Sequence, residues 1–284
     1  MGSAPYYYTP SLGAAIIFVL LFAATTALHM YQMCKTKTWF LLAFCCGGIF
    51  EAAGYITRAK SATESGIPRY EIGPFVAQNM LLLVAPALFA ASIYMELGRI
   101  SAAVGGDAFL LVRRQRLTGT FVAGDVIAFL SQFGGSGLMA ASNLSVRNIG
   151  RIIATVGLFV QICFFSCFIV AGLLFHHRLR KTPTPRLLDQ QLPYQRHMYV
   201  IYGTSVLIFA RSIVRVIEFI QGLDGYIATH QLFIFIFDAV PMFVVMFILN
   251  WIHPSEIKSL INGGKMAKWV RLVDRPIALA AEHY

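Results

Sequence analysis

The sequence predicts an all-α integral membrane protein, a bundle of seven transmembrane helices with its N-terminus outside and its C-terminus in the cytoplasm. Three observations lead there. Of 284 residues, 57% are hydrophobic and 13% are charged, about half the charged share of an ordinary soluble domain. Seven windows hold about 20 mostly apolar residues, the length that crosses a bilayer. They run near 11–33, 39–58, 74–99, 118–140, 150–175, 198–221 and 230–252. The cations alternate between dense and sparse from one connection to the next, as the preference of Lys and Arg for cytoplasmic loops requires. The composition excludes a disordered chain, a disulfide-stapled secreted module and most soluble enzymes. The net charge of +10 does not make a nucleic-acid surface, because the cations are few and separated by long apolar runs. No nucleic-acid partner is expected.

Taken in order, residues 1–10 form a short outer N-terminus, 11–252 the seven-helix domain and 253–284 a cytoplasmic tail. No basic residue precedes the first apolar run, and that run is too long for the core of a signal peptide, so it reads as span 1. Lys35 and Lys37 follow it. Span 2 ends outside, before Lys60 and Arg69, and span 3 returns to Arg113, Arg114 and Arg116. Span 4 leads out to Arg147 and to the sequon Asn143-Leu144-Ser145, a weak glycosylation candidate beside the membrane. Span 5 returns to Arg178, Arg180, Lys181, Arg186 and Arg196, in a stretch near 176–197 whose Pro183, Pro185 and Pro193 predict an irregular loop. Span 6 leads out to a connection without cations. Span 7 leads into a tail holding Lys258, Lys265, Lys268, Arg271 and Arg275. Fifteen cations thus mark one side and three the other. In the tail, Met266, Trp269, Val270 and Val273 stand at i, i+3, i+4 and i+7 among cations, which predicts a short basic helix on the anionic inner leaflet. Cys34, Cys45, Cys46, Cys163 and Cys167 all lie in or beside apolar runs, so they read as small packing residues and not as a disulfide framework.

The informative residues are the ionisable ones inside spans, which persist where they are paired or line a wet cavity. The predicted topology sorts them by depth. An outer cluster holds Glu51, Tyr55, Arg58, Gln78, Asn79, Arg211, Arg215, Glu218 and Asp238. Glu51, Tyr55 and Arg58 share one helical face, as do Arg211, Arg215 and Glu218. Two arginines one turn apart need carboxylates from another span, and Asp238 and Glu51 are the natural candidates. An inner or middle group holds His29, Glu96, Arg99, Asp125, Gln132 and Gln161. Glu96 and Arg99 can also be read as an interfacial pair on one helix. Pro86, Pro241 and the run Gly134, Gly135 and Gly137 predict helix breaks, which read either as ordinary membrane-helix kinks or as the broken spans that mark substrate sites in transporters.

These residues fall in an ordered series of short motifs. Tyr8-Thr9-Pro10-Ser11 precedes span 1, and His29 closes it. Glu51-Ala52-Ala53-Gly54-Tyr55-Ile56-Thr57-Arg58 ends span 2. Gln78, Leu83-Val84-Ala85-Pro86 and Ala91-Ser92-Ile93-Tyr94-Met95 lie in span 3, before Gly98-Arg99. Asp125-Val126, Gln132 and Gly134-Gly135 follow in span 4, and Gly157-Leu158 and Gln161 in span 5. Arg211-Ser212-Ile213-Val214-Arg215-Val216-Ile217-Glu218 lies in span 6, then Phe237-Asp238 and His253-Pro254 in and after span 7. In this series the chain resembles the fungal lipid-translocating exporter family, seven-span proteins associated with resistance to toxic amphiphiles, some linked to sphingoid-base export and others to porphyrin transport. It departs in span 7, where members often carry Glu near His230 and Tyr before the Phe-x-Asp region, and where Phe235 stands here.

The resemblance implies a translocator of amphipathic lipids in the plasma membrane or another endomembrane, with membrane lipids and lipid cargo as partners and no resident cofactor. Haem or a porphyrin enters only as possible cargo. The outer cluster would receive the polar head, and Asp125 and Gln132 would form a middle or inner step. No phosphate-binding loop is found, so direct ATP-driven pumping is not expected. Two rivals remain. Seven spans with an outer N-terminus also suit a receptor or lipid sensor. An intramembrane zinc hydrolase needs about three converging ligands, and the histidines lack helical metal spacing. No catalytic residue and no metal site are expected.

Overall fold

The computed structural model describes residues 10–63, 72–139, 141, 143–190, 193–222, 225–262 and 264–275. The N-terminal residues 1–9 and Arg69, both used in the sequence reading, lie outside them. Among the described residues seven helices are long and apolar enough to cross a membrane, and the protein is a multi-pass membrane protein. They are α1 (Leu12–Thr36), α2 (Leu42–Thr63), α3 (Ile72–Val104), α4 (Arg114–Met139), α5 (Leu144–Lys181), α7 (Tyr194–Gln221) and a seventh span, Gln231–Ile261, in several pieces.

Local chemistry sets the ends. Ser11 caps α1 through its side chain, and the helix closes at Lys37 in the left-handed region. Asn143 caps α5, its Oδ1 accepting from Ser145 N at 2.9 Å. The sequon asparagine is therefore an exposed helix cap.

Each span packs on its neighbour in sequence, and the last span touches both α1 and α7, which closes the ring. Helix α3 also crosses to α7. It is the most enclosed span, with 61% of its apolar window buried against 22% for α1. The expected breaks resolve in two ways. Pro86 sits within an unbroken α3, and α4 is continuous through its glycines. A side chain at Gly135 would stand 2.5 Å from the carbonyl oxygen of Gly150. Gly135 therefore serves close packing of α4 on α5, a use of glycine frequent in membrane bundles. The real irregularity is in the seventh span. After short helices α8 (Tyr226–Thr229) and α9 (Gln231–Ile234) comes a π-helical turn, Phe235–Ala239. Pro241 opens α10 (Val240–Trp251), where its missing N–H is tolerated.

Two expectations are corrected. The stretch 176–197 is largely helical: α5 runs on to Lys181, α6 (Pro185–Gln190) follows, and α7 begins at Tyr194. The prolines punctuate helix starts instead of making a loop, since proline suits a first turn. The tail forms no amphipathic helix at 266–273. Helix α11 (Ser255–Asn262) leads into a hairpin of β1 (Gly264–Lys268) and β2 (Arg271–Arg275), antiparallel with Met266 opposite Val273. A segment this short makes a marginal isolated helix. The hairpin instead docks on α1 and α11, burying Met266 and Ala267. Ala267 N donates to Ser255 Oγ at 2.9 Å, and Gln32 Nε2 donates to Trp269 O at 3.0 Å.

Candidate substrate site

The outer cluster is built on α7. Arg211, Arg215 and Glu218 lie along one face, and Asp238 reaches them from the π-helical turn of the seventh span. Each Asp238 oxygen takes one arginine. Oδ1 accepts from Arg211 Nε, and Oδ2 from Arg215 Nη2 at 3.0 Å. All three side chains are at most 6% exposed. Arg211 Nη2 also donates to the carbonyl of Leu82 on α3, and Arg215 Nη1 to Glu218 Oε2 at 3.0 Å. The π turn explains the placement: its extra residue re-aims the side chains around it, a device frequent at functional sites. The arginines thus find a counter-ion in Asp238, one of the two carboxylates the sequence nominates.

Glu51 behaves differently. It is fully buried on α2 and lies within electrostatic reach of Arg211, Arg215 and Asp238. Neither of its oxygens has a hydrogen-bond partner among the described residues. Tyr55, one turn on, is equally buried, and its hydroxyl also lacks a partner there. Its ring lies 5.5 Å from Phe18, 5.6 Å from Phe22 and 6.3 Å from Phe235, centroid to centroid. Two polar groups with open hydrogen-bonding capacity thus border an aromatic wall from three spans. Arg58 stands over the Phe235 ring at 5.1 Å and approaches Gln231 Oε1 at 3.5 Å. Gln231 Oε1 also accepts from Ser11 N at 2.8 Å. The sequence reading missed Gln231, a lone amide at the start of a span. Gln78 is buried and Asn79 partly buried in the N-terminal half of α3.

The inner group does not assemble as one cluster. Asp125 Oδ2 accepts from the hydroxyl of Tyr94 at 3.0 Å, tying α4 to α3. Gln132 Nε2 donates to Gln161 Oε1 at 3.1 Å, tying α4 to α5. Arg99 lies 3.9 Å over the ring of Phe40, a cation–π contact. Glu96 makes no ion pair with Arg99. It faces His197 instead, with its Oε1 3.2 Å from Nδ1. The pair one turn apart was a local reading; burial of Glu96 on the α7 side of α3 decides otherwise. His29 Nε2 donates to the carbonyl of Met246 at 3.0 Å. His197, Glu256 and their contacts were missed too, because nothing in helical spacing relates residues 96, 197 and 256. All five cysteines are free thiols. Among the described residues, no group of three His, Cys, Asp or Glu side chains is arranged to hold a metal ion.

Comparison with known proteins places this architecture. The family described as RTA1 like protein matches residues 44–259. The chain is 36% identical to protoporphyrin uptake protein 1 of Saccharomyces cerevisiae, over 85% of this chain and 89% of that protein. It is 34% identical to protein RTA1 of the same yeast, over 86% and 82%. It is 24% identical to the sphingoid long-chain base transporter RSB1 of that yeast, over 87% and 72%. No solved structure matches the chain. The family match spans α2 to α11, including Glu51, the arginines of α7 and Asp238, and the seven-helix membrane protein belongs to the RTA1-like family.

Proposed function

We propose that the protein is a translocator of amphipathic lipids, of the sphingoid-base or sterol-like kind, and not an enzyme. It would protect the cell against toxic amphiphiles. The observation that carries this reading is Glu51: a fully buried carboxyl with no partner for either oxygen among the described residues, beside the equally open hydroxyl of Tyr55. Burying such a group without compensation is costly, so its retention fits a site that is satisfied by cargo. A cationic or hydroxylated head would meet Glu51 and Tyr55 while the aromatic wall and the lipid hold the tail. Asp238 and Glu218 together balance Arg211 and Arg215, which leaves Glu51 available. The name of the sphingoid-base relative supports the cargo class. We place the N-terminus outside and the tail in the cytoplasm on the cation bias, and the protein in the plasma membrane on the export reading.

The test is movement of a fluorescent long-chain base out of proteoliposomes holding the purified chain. Glu51→Gln is expected to lower the rate by about tenfold or more, a loss of roughly 1.4 kcal/mol of differential binding. Glu51→Gln and Arg215→Ala variants that both move the base at the wild-type rate would make the cluster a packing device. A second reading has its own support: the greater identity to the protoporphyrin uptake protein, together with Arg58 stacked over the flat Phe235 ring, suits a planar carboxylated cargo. Protoporphyrin movement without long-chain base movement would favour it.

A further inference from the structure

At the end of the bundle that carries the tail, His197 joins three elements. It lies in the first turn of α7 and is wholly buried. Nδ1 is 3.2 Å from Oε1 of Glu96 on α3, and Nε2 is 3.2 Å from Oε2 of Glu256 on α11. Hydrogen-bond counting limits the protonation state. A neutral imidazole offers one N–H and one lone pair, and ionised carboxylates offer only lone pairs. Both contacts are hydrogen bonds only when the triad holds one further proton, either on the ring as imidazolium or on one carboxyl, whose O–H then donates to the ring. Without that proton one contact sets lone pair against lone pair in a buried site, and α7 loses its hold on either α3 or α11.

The surroundings suit exchange of this proton. Glu256 is the least buried member, its side chain 11% exposed against 0% for His197 and 2% for Glu96. Arg196, on α7, is half-exposed and reaches the same Glu256 oxygen at 3.9 Å. His253, between α10 and α11, and His29, on α1, are buried on this side too, with rings 6.2 Å apart, as are Tyr194, in the first turn of α7, and His176 of α5, whose ring lies 5.9 Å from it. His253 Nδ1 accepts from Ser255 N at 3.2 Å, so its Nε2 carries the proton. His29 donates through Nε2, so its Nδ1 is a lone pair. Neither of these remaining nitrogens has a partner among the described residues.

We propose that Glu96, His197 and Glu256 form a proton-binding site that couples lipid movement to a proton gradient. A proton arriving at Glu256 Oε2 passes to His197 Nε2, and the proton on Nδ1 passes to Glu96 Oε1. One proton enters, one is held further in, and the ring ends neutral. Before entry Nδ1–H donates to ionised Glu96 while Nε2 and Glu256 set lone pair against lone pair. Afterwards Nε2–H donates to ionised Glu256 and protonated Glu96 donates to Nδ1, so the charge-assisted contact moves from the α7–α3 side to the α7–α11 side. Both α7 and α3 continue to the outer cluster, where Arg211 of α7 donates to the Leu82 carbonyl of α3. A proton event at one end therefore bears on the two helices that frame the proposed cargo site at the other. This rests on the translocator reading.

The experiment uses proteoliposomes of the full chain and a fluorescent long-chain quaternary ammonium amphiphile, whose charge is independent of pH. With one proton exchanged per molecule, each unit of imposed pH gradient shifts its steady-state distribution about tenfold, and protein-free vesicles show no shift. H197Q and E96Q are expected to abolish this gradient-driven shift while exchange at equal pH continues. Wild-type gradient response in both variants, or none in the wild type, overturns the proposal. The infrared difference spectrum between acid and alkaline pH reads the site without any transport. A titrating buried carboxyl band, lost in E96Q or E256Q and altered in H197Q, supports it, and a band unchanged in all three overturns it. If the amphiphile moves under no condition, the translocator reading fails and with it the coupling; the infrared result then decides the proton site alone.

Discussion

Glu51 and Asp238 are both buried carboxyls within one site, yet they carry opposite predictions. Asp238 holds two arginines that are almost wholly buried, and removing one partner of a buried ion pair costs about 3–5 kcal/mol. Asp238→Asn is therefore expected to lower the thermal stability of the detergent-solubilised protein sharply, with loss of expression as the extreme. Glu51 makes no hydrogen bond among the described residues, and an amide replaces its carboxyl without stranding a cation hydrogen-bonded to it. Glu51→Gln is expected to leave the melting temperature unchanged or raised while transport falls. Equal destabilisation by both changes would make Glu51 a structural counter-ion of the same network.

At the level of elements, the sequence pattern succeeded where the period was long and failed where it was short. Windows of about 20 apolar residues located all seven spans, because the bilayer sets one length for every crossing. The four apolar residues Met266, Trp269, Val270 and Val273 fit a helical face, but they fit a hairpin as well: Met266 and Val273 face each other across the strands, with Trp269 and Val270 in the turn. The hairpin is decided by its docking onto α1 and α11. A Met266→Cys, Val273→Cys double variant is expected to form a cross-link under mild oxidation, seen as a mass loss in the isolated tail peptide. A helix would hold these positions about 10 Å apart, beyond the ~7 Å reach of a disulfide, so failure to cross-link would restore the helix.

Across the whole molecule, the cation bias predicts that the tail lies in the cytoplasm and the N-terminal end of span 1 on the opposite side. In sealed cells, a cysteine replacing Lys60 is expected to react with an impermeant maleimide, and one replacing Lys265 only after permeabilisation. The reverse pattern would invert the bundle. The depth of each intramembrane charge was legible once the spans were ordered, which is why Arg211, Arg215 and Asp238 could be grouped before their contacts were seen. The pairing was not legible. Glu96 was readable as a partner of Arg99, three residues away on its own helix, but it meets His197. Gln231 and Glu256, at the margins of the seventh span, carried no signal at all.

The sequence by itself determined the number of crossings, the basic end, the polar residues that stay in the membrane and the family motifs. All of these follow from local composition read against a bilayer of constant thickness. Only the tertiary structure decided which buried charge meets which, which carboxyl is left open, and where the chain abandons α-helical geometry at Phe235–Ala239. The physical reason is that partner choice depends on the rotation of each helix about its axis and on its distance from helices remote in sequence. In this protein those are set by packing, such as Gly135 against Gly150, which no single window contains.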